Sequence, residues 1–358
     1  MATLEKFKTN DIATTRNLLH EAIPVTGSLL SGSTFDDDNI KNYDHGMFQS
    51  VYDYPYLSSS ANHIFDITVG VYSASSDYAT DLNEQNAAKH NIYQEMAQVL
   101  YGFDATASVI PFRHSGSYVD TAETTVAPFF LNLSRLMTKD EIQKNTFRLQ
   151  IGTGSIGFGA DPKVFASNAV NLITIGDFGA DVTYNDTNSP AGEFGVLRSG
   201  SSTGGAVGLI YYQAGIAVLD LSQSFTLSNN FSGSFISNSS GEHWDYDKSI
   251  ESGTITQLAS NFRRRIYNLE FNNTTELNST IYFCRAQNNQ FNYSANPTYL
   301  SSSQIIVKES NSNNPPFSYI TTVGLYSEDN SLMGVAKLSE PIKKTPSNEV
   351  TIRVRLDY

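Results

Sequence analysis

A single cysteine, Cys284, is present among the 358 residues, so no disulfide can form within the chain and stability must come from hydrophobic cores and association. Charged residues are scarce as well, at 16% of the chain against roughly 25% in ordinary globular proteins. The first residues lack the charged-then-apolar layout of a signal peptide, and no apolar run reaches the roughly 18 residues of a membrane span. We therefore expect a soluble chain with no membrane partner.

Basic residues are outnumbered by acidic ones, and the net charge is −13. Such a surface repels the phosphates of nucleic acid unless a basic patch is set apart from the rest. The basic run Arg263 to Arg265 adjoins an Asn-rich stretch, which is typical of a solvated edge or a protein interface rather than a phosphate track. A nucleic-acid partner is therefore not expected.

In place of charge the chain is rich in Asn, Ser, Thr and Tyr. Tyr and Thr favour strands, and Asn, Ser and Gly favour turns, so the composition predicts a mainly β fold with minor α. The length predicts two or three packed units. We expect an N-terminal arm or docking segment (1–60), an α+β to β-rich central domain with a Gly-rich middle (61–252), and a C-terminal all-β domain (253–358). The last is expected to be an antiparallel unit similar to a β-sandwich.

The segment 1–60 is irregular in pattern. A helix is predicted over Ile12 to Ala22, ending before Pro24, and aromatic-rich loops follow. These aromatic side chains are too apolar for a free loop, yet the segment lacks the periodicity to bury them by itself. We expect it to gain order by packing on a neighbour, with the candidate interface residues Phe48, Tyr52, Tyr54 and Tyr56.

Periodic patterns begin in the central domain. Alternation from Phe65 to Val71 predicts a strand, and the apolar stripe from Ile92 to Leu100 predicts a helix that Gly102 is placed to end. Thr138 with Glu141 three residues later matches a capping box and predicts a shorter helix. Further strands are predicted at Leu149 to Ile151, Leu172 to Ile175 and Val207 to Leu219, the last with a tight hairpin at Gln213 to Gly215.

The C-terminal domain carries alternating segments separated by Asn, Ser and Pro turns. The predicted strands are Ser279 to Ala286, Gln304 to Lys308, Tyr319 to Tyr326, Leu332 to Leu338 and Glu349 to Asp357. In the last of these, Val350, Ile352, Val354 and Leu356 face one way. Arg353 and Arg355 project from the other face and are candidate interface residues, with the alternative that they only discourage edge pairing.

Two motifs associated with catalysis or cofactors occur, but their contexts argue against both functions. Gly152 to Gly157 has dinucleotide-binding spacing, yet Phe158 to Pro162 interrupts the helix that must follow. Gly200 to Gly204 matches a nucleophile elbow, but an apolar hairpin follows where a helix is required. Both are interpreted as loops, and no catalytic or cofactor-binding residue is assigned.

The remaining polar and aromatic clusters are candidates for metal or sugar sites. His243, Asp245 and Asp247 would share a face of an extended segment, as metal ligands or as an ordinary polar edge. Asp36 to Asn39 fails the EF-hand spacing, and no metal is assigned. Trp244 and Tyr246 are the candidates for stacking on sugars. The thiol of Cys284 is expected to be a small buried hydrophobe rather than a nucleophile.

Four stretches resemble virion structural proteins of large contractile-tailed phages, cyanophages in particular. They are His45 to His63 near the N-terminus, and Phe291 to Tyr299, Tyr319 to Tyr326 and Val354 to Tyr358 near the C-terminus. The resemblance implies a non-enzymatic subunit of the tail, baseplate or neck, in the virion after assembly in the host cytoplasm. Its partners would be other virion proteins and copies of itself. The alternatives are a glycan- or receptor-binding adhesin and, less favoured, an envelope polysaccharide hydrolase.

Overall fold

The structure is a computed structural model that describes residues 4–26, 39–74, 84–116, 124–152, 172–180, 185–223, 235–237, 243–293, 300–301, 304–305 and 317–357. The described chain is mainly β with a minority of helix, which confirms the predicted fold class.

The strands and helices are numbered along the chain. The first strands are β1 (Ile12–Thr26), β2 (Ile40–Asn42), β3 (Gln49–Tyr52), β4 (His63–Val69), β5 (Phe129–Leu133), β6 (Glu141–Ile142), β7 (Arg148–Gly152), β8 (Leu172–Gly176), β9 (Asn185–Ser189) and β10 (Gly192–Ser199). They are followed by β11 (Ala206–Tyr211), β12 (Ile216–Leu219), β13 (Ile236–Ser237), β14 (His243–Trp244), β15 (Ile266–Ala286), β16 (Leu300–Ser301), β17 (Gln304–Ile305), β18 (Ser318–Tyr326), β19 (Leu332–Lys344) and β20 (Val350–Asp357). The helices are α1 (Glu84–Leu100), α2 (Arg135–Thr138), α3 (Tyr246–Ser252) and α4 (Ile255–Arg265), and Thr9–Asp11 forms a 3-10 turn.

The chain divides into two compact units. The terminal unit consists of residues 1–18 and 276–358, and the middle unit consists of residues 19–275. These bounds differ from the three expected segments, because residues 39–60 and 253–275 are both part of the middle unit. Strand β15 begins in the middle unit and ends in the terminal unit.

The middle unit is built on one large sheet with the strand order β7-β8-β10-β11-β12-β5-β4-β3-β2. Neighbouring strands run antiparallel, and β11 and β12 form the hairpin that the sequence predicts at Gln213 to Gly215. Residues Ile266 to Glu270 of β15 continue the sheet beside β7. The predicted strands near Leu149 and Leu172 are β7 and β8.

The central strands of this sheet are covered on both faces. Phe129 on one face contacts Phe262 of α4, with 5.2 Å between ring centroids, and Phe130 on the other face contacts Phe112 at 5.6 Å. All four rings are fully buried. This explains why Phe129 to Leu131, the first three residues of β5, are all apolar rather than alternating.

Helix α1 stops where predicted, and Ile92 and Leu100 of its predicted apolar stripe are buried, whereas Val99 of that stripe is exposed. Gly70, just after β4, lets the helix approach closely, since a Cβ there would lie 2.9 Å from the Cα of Tyr93. The helix ends where Gly102 adopts a φ of +95° and its N–H donates to the carbonyl of Ala97. This is the C-terminal conformation that glycine favours.

Two expectations about helices were wrong. Ile12 to Ala22 lies in strand β1, which is neighbour to β15 in the sheet, so backbone pairing with a distant strand outweighs the local pattern. The capping box predicted at Thr138 and Glu141 does not form, because Thr138 is the last residue of α2 and Glu141 begins β6.

The expected all-β start at Gly253 was also wrong, because helix α4 follows directly. Its Thr254 accepts a hydrogen bond from the N–H of Gln257, and Gln257 accepts one from the N–H of Thr254, which is a complete capping box. The expected solvated edge at Arg263 to Arg265 is wrong too, since Arg263 and Arg265 are buried.

The terminal unit contains the strands predicted at the C-terminus. Residues Ser279 to Ala286 of β15 pair with β20, and β18 pairs with β19 in a separate two-stranded sheet. Val354 and Leu325 are buried, and a Cβ at Gly334 of β19 would lie 3.8 Å from Leu356. One face of the β18–β19 hairpin therefore packs against the apolar face of β20, as in a small β-sandwich. Of the predicted strand Gln304 to Lys308, Gln304 and Ile305 form β17, and the rest lies outside the described residues.

Candidate interaction surfaces

The loop between β3 and β4 is called the aromatic loop, residues 53–60. Its base is closed by Asp53, whose carboxylate accepts hydrogen bonds from the backbone N–H of Asn62 at 2.6 Å and from its side-chain amide at 2.8 Å. A turn follows, in which Ser58 N–H donates to the carbonyl of Pro55 at 2.8 Å. The ordered loop presents apolar side chains outward: Tyr54 is 57% exposed and Leu57 is 85% exposed.

The four aromatic candidates have two different environments. Tyr54 and Tyr56 are exposed on the aromatic loop. Phe48 is half-buried against Tyr43, with ring centroids 4.7 Å apart, and Tyr52 at the end of β3 is half-buried near Tyr56. Only the loop pair is therefore displayed: Tyr52 packs against Tyr56 of the loop, whereas Phe48 contacts Tyr43 and His45 before β3.

The residues just before this loop were expected to belong to an N-terminal arm, but they form strands of the sheet in the middle unit. In β3 the side chains of Gln49, Ser50 and Val51 are buried, and β3 pairs with β2 and β4. The hydroxyl of Ser50 donates to Asp66 at 2.5 Å, and the hydrogen bond between Asp66 and His63 raises the pKa of His63. Residues 39–52 are therefore integral to the middle unit and not a free arm.

The stretch of sequence that contains the aromatic loop is acidic. Between Lys41 and Lys89 the sequence contains no lysine or arginine. The same stretch contains six carboxylates: Asp44, Asp53, Asp66, Asp77, Asp81 and Glu84. The exposed apolar side chains of the loop therefore belong to a stretch of sequence with carboxylates and no lysine or arginine.

A second surface lies on the β18–β19 hairpin and is called the hairpin face. Tyr326 lies opposite Leu332, Gly324 opposite Val335, and Thr322 opposite Lys337. A Cβ at Gly324 would lie 2.9 Å from the ring of Tyr326, so glycine lets this ring lie flat along the strand. Tyr326, Leu332 and Val335 are 45%, 53% and 54% exposed, and neighbouring Met333 is 70% exposed.

The two arginines of β20 differ in their contacts. The guanidinium of Arg355 donates to Asp357 at 2.6 Å and to the hydroxyl of Ser279 at 2.9 Å. The carboxylate of Asp357 also accepts from Ser279, and these hydrogen bonds lower its pKa. Arg353 is exposed opposite Phe283 on β15 and has no ion-pair partner among the residues that the structure describes. Arg353 is thus the more available of the two for a partner.

Charge is divided unequally between the units. The terminal unit contains ten Lys and Arg against nine Asp and Glu, a formal charge of +1. The middle unit contains 13 and 27, a formal charge of −14. The hairpin face thus belongs to a nearly neutral unit and carries Lys337, whereas the aromatic loop belongs to a strongly acidic one.

The buried carboxylate of Asp177 in the middle unit has several hydrogen-bond donors. Asp177 accepts hydrogen bonds from the backbone N–H groups of Asn145 and Phe147, from Arg148 and from the hydroxyl of Tyr212. Burial raises the pKa of Asp177 despite these donors. The network joins β7, the turn after β8 and the end of β11. It is called the polar clamp.

Lys89 of α1 and Arg265 of α4 are buried cations that donate hydrogen bonds to other elements. Lys89 of α1 donates to the side-chain oxygen of Asn86 and to the carbonyl of Ile250 in α3, and burial lowers its pKa to about 8. Arg265 of α4 donates to the carbonyl of Gly152 and lies 5.2 Å from the ring centroid of Phe235. Burial lowers the pKa of Arg265 to about 9. The Lys89 contact joins α1 to α3, and the Arg265 contact joins α4 to the end of β7. No sequence signal predicted either contact.

The polar cluster around Trp244 does not have the extended geometry expected for metal ligands. Asp245 caps helix α3 by accepting from the N–H of Lys248, and Asp247 lies in the first turn of that helix. Within the described ranges, no three His, Cys, Asp or Glu side chains form a group that could hold a metal ion. Asp36 to Asp38 lie outside the described residues.

The aromatic pair proposed for sugar stacking is also not displayed. Tyr246 is buried, and its ring contacts Phe235 edge-on at 5.3 Å. Trp244 is half-buried against the core. The two rings therefore do not form an exposed platform.

The remaining motif residues lie as follows. The loop Gly200 to Gly204 connects β10 to β11, so a strand follows it, as the sequence predicts. Residues 153–157 of the glycine-rich motif lie outside the described residues. Cys284 is half-buried in β15 opposite Ile352, and burial raises the pKa of its thiol.

In the part of the chain that is described, no helix is long and apolar enough to cross a membrane. Comparison of the chain with protein-family models, with curated proteins and with solved structures found no match.

Proposed function

We propose that the chain is a non-enzymatic structural subunit of a tailed-phage virion, in the tail, baseplate or neck, and that it acts through protein–protein interfaces. The observation that carries the proposal is the hairpin face, where Tyr326, Leu332, Met333 and Val335 are all about half exposed or more. Contiguous exposed apolar side chains are typical of interaction sites.

The resemblance to virion proteins supports the same conclusion through its position. The stretch His45 to His63 contains the aromatic loop, and the stretch Tyr319 to Tyr326 forms most of β18. One of the stretches that resemble phage structural proteins therefore contains the aromatic loop, and another contains Tyr326 of the hairpin face. A chain with few charges and many aromatics also has the composition found at buried centres of interfaces.

Mass spectrometry of purified phage particles tests this function. The proposal predicts peptides of this chain at a fixed ratio to known structural subunits, retained after nuclease treatment and repeated density-gradient purification. The chain's absence from such particles would refute the virion role.

An enzymatic function is tested separately with the purified chain. Incubation with host envelope polysaccharide should release no reducing ends above the buffer control. Turnover that a single Asp or Glu substitution abolishes would replace the structural role with a hydrolase.

A further inference from the structure

A histidine stands where the chain returns from the aromatic loop to the sheet. It is His63, the first residue of β4. Its Nε2 atom lies 2.7 Å from Oδ1 of Asp66, and the hydroxyl of Ser50 on β3 donates to the same oxygen at 2.5 Å. The ring of His63 also lies 5.5 Å from that of Tyr52, the last residue of β3. One carboxylate oxygen therefore connects the end of the loop to the neighbouring strand.

The base of the aromatic loop lies directly beside this contact. The backbone N–H of Asp53 donates to the carbonyl of Asn62 at 3.1 Å, and the carboxylate of Asp53 accepts from Asn62 rather than from His63. On the other side, Tyr52 packs near Tyr56 within the loop, with ring centroids 6.4 Å apart. Because His63 directly follows Asn62, opening of the loop at its base moves His63 as well.

The charge of His63 is controlled mainly by Asp66. Their hydrogen bond is the largest cause that raises the pKa of His63 above its ordinary value of 6.5, and partial burial acts in the opposite direction. Tyr52 faces the ring from β3, and burial raises its pKa above 10, so it stays neutral near pH 7. The charge of Lys41 and the hydroxyl of Tyr43 act on Tyr52. The ion pair with Asp66 therefore depends on the protonation of His63.

We propose that His63 and Asp66 form a pH-sensitive latch that holds the aromatic loop closed against β3 while His63 is protonated. The latch is complete below pH 6.5, the ordinary pKa of a released histidine, and it weakens as the pH rises through the higher pKa of His63 in the closed loop. Tyr54 and Leu57 are therefore presented in the most defined arrangement at the acid end of this range. The latch consists of this chain's own residues and goes beyond the proposed structural role.

Thermodynamic linkage fixes the size of the effect. If opening of the loop breaks the contact, the equilibrium constant for opening rises with pH by about tenfold for each pKa unit that separates closed from released His63. Proton NMR titration of the histidine Hε1 signals in the full chain measures the first pKa, and the signal is assigned by its loss in His63→Gln. The variant Asp66→Asn gives the pKa of His63 beside a neutral side chain.

Hydrogen exchange by mass spectrometry, from about pH 5.5 to about pH 8.5, measures the opening itself. The reporters are backbone N–H groups with hydrogen bonds in the loop or at its base, those of Asp53, Ser58, Ala61 and Asn62. Each rate is divided by the intrinsic exchange rate at the same pH. Protection in wild type should then fall with rising pH by the factor that the NMR titration gives. In His63→Gln and in Asp66→Asn it should be nearly independent of pH.

His45 provides the matched control, because it is exposed in the turn before β3 and also contacts aromatic rings. His45→Gln should keep the pH dependence of wild type. Equal pKa values of His63 in wild type and Asp66→Asn would overturn the latch, and so would loop protection that stays flat while His63 titrates. A wild-type pH dependence in His63→Gln would assign the effect to another group. The free chain is sufficient for these measurements, so their failure leaves the proposed structural role intact.

Discussion

Tyr212 donates its hydroxyl hydrogen to the buried carboxylate of Asp177 at 3.1 Å, at the centre of the polar clamp in the middle unit. Asp177→Ala should remove the acceptor for two backbone N–H groups and for Arg148 and Tyr212. Loss of one partner of a buried charged network costs roughly 3–5 kcal/mol of the free energy of unfolding. Urea denaturation measures this, with the exposed Asp44→Asn as a control that should change it by less than about 0.5 kcal/mol. Equal stability of Asp177→Ala and wild type would show that the clamp contributes nothing.

Gly195 provides the space that Tyr212 occupies, because a Cβ at this position would overlap the Tyr212 hydroxyl oxygen. Gly195→Ala should destabilise the chain by roughly 1–3 kcal/mol through overpacking. Gly334→Ala is the matched strand control, since its nearest neighbour would be 3.8 Å from the new Cβ, and it should be tolerated. A double-mutant cycle of Gly195→Ala with Tyr212→Phe checks the cause: the two effects should be non-additive. If the two changes in the free energy of unfolding add exactly, the destabilisation by Gly195→Ala arises from another contact.

Lys89 should give the stability a defined pH dependence. Its pKa falls from 10.5 to about 8 on folding, so between these values the unfolded chain binds this proton more tightly than the folded chain. The free energy of unfolding of wild type, relative to Lys89→Met, should therefore rise from pH 8 to pH 10.5 by roughly 1–3 kcal/mol. Buried tyrosines such as Tyr93 are present in both proteins and cancel in this difference. The exposed Lys248→Met should run parallel to wild type, and a flat difference for Lys89→Met would contradict the prediction.

The arginines of β20 should respond differently to charge reversal. Arg355→Glu breaks the contacts with Ser279 and Asp357 and places a second carboxylate beside Asp357, so it should lower the melting temperature. Arg353→Glu alters an exposed side chain with no ion-pair partner among the described residues and should leave the melting temperature unchanged. Differential scanning calorimetry distinguishes the two. A larger loss of melting temperature for Arg353→Glu than for Arg355→Glu would contradict the prediction.

Local sequence patterns were sufficient to predict an element where alternation or a helical stripe determines which side chains are buried. Strand β20 alternates along its length, and its apolar positions are the more buried ones. Helix α1 ends near the predicted Gly102. In these segments the local conformational preference of the sequence agrees with the tertiary packing. The sequence pattern therefore predicts the element.

In other segments the structure depends on contacts with residues that are distant in the sequence. Strand β1 is extended because it lies beside β15, more than 200 residues away along the chain. Arg265 looked solvated by charge, but the carbonyl of Gly152 and the ring of Phe235 accommodate it in the interior. The capping box at Thr254 and Gln257 was visible in the sequence and would have located α4.

The candidate surfaces were partly predictable. All four aromatic residues were candidate interface residues because aromatic residues are dense in this segment. Tyr54 and Tyr56 are exposed, whereas Phe48 and Tyr52 are half-buried. The hairpin face was missed, because alternation in β18 and β19 does not tell which face β20 covers. That choice depends on how the two layers of the terminal unit pack.

An electron cryomicroscopy map of the assembled particle tests the central claim most directly. The account predicts density for this chain in the tail, baseplate or neck, with residues 54–57 and 326–335 buried against neighbouring subunits. A particle map that accounts for every subunit without this chain, or that contains it with both surfaces facing solvent, would contradict the account.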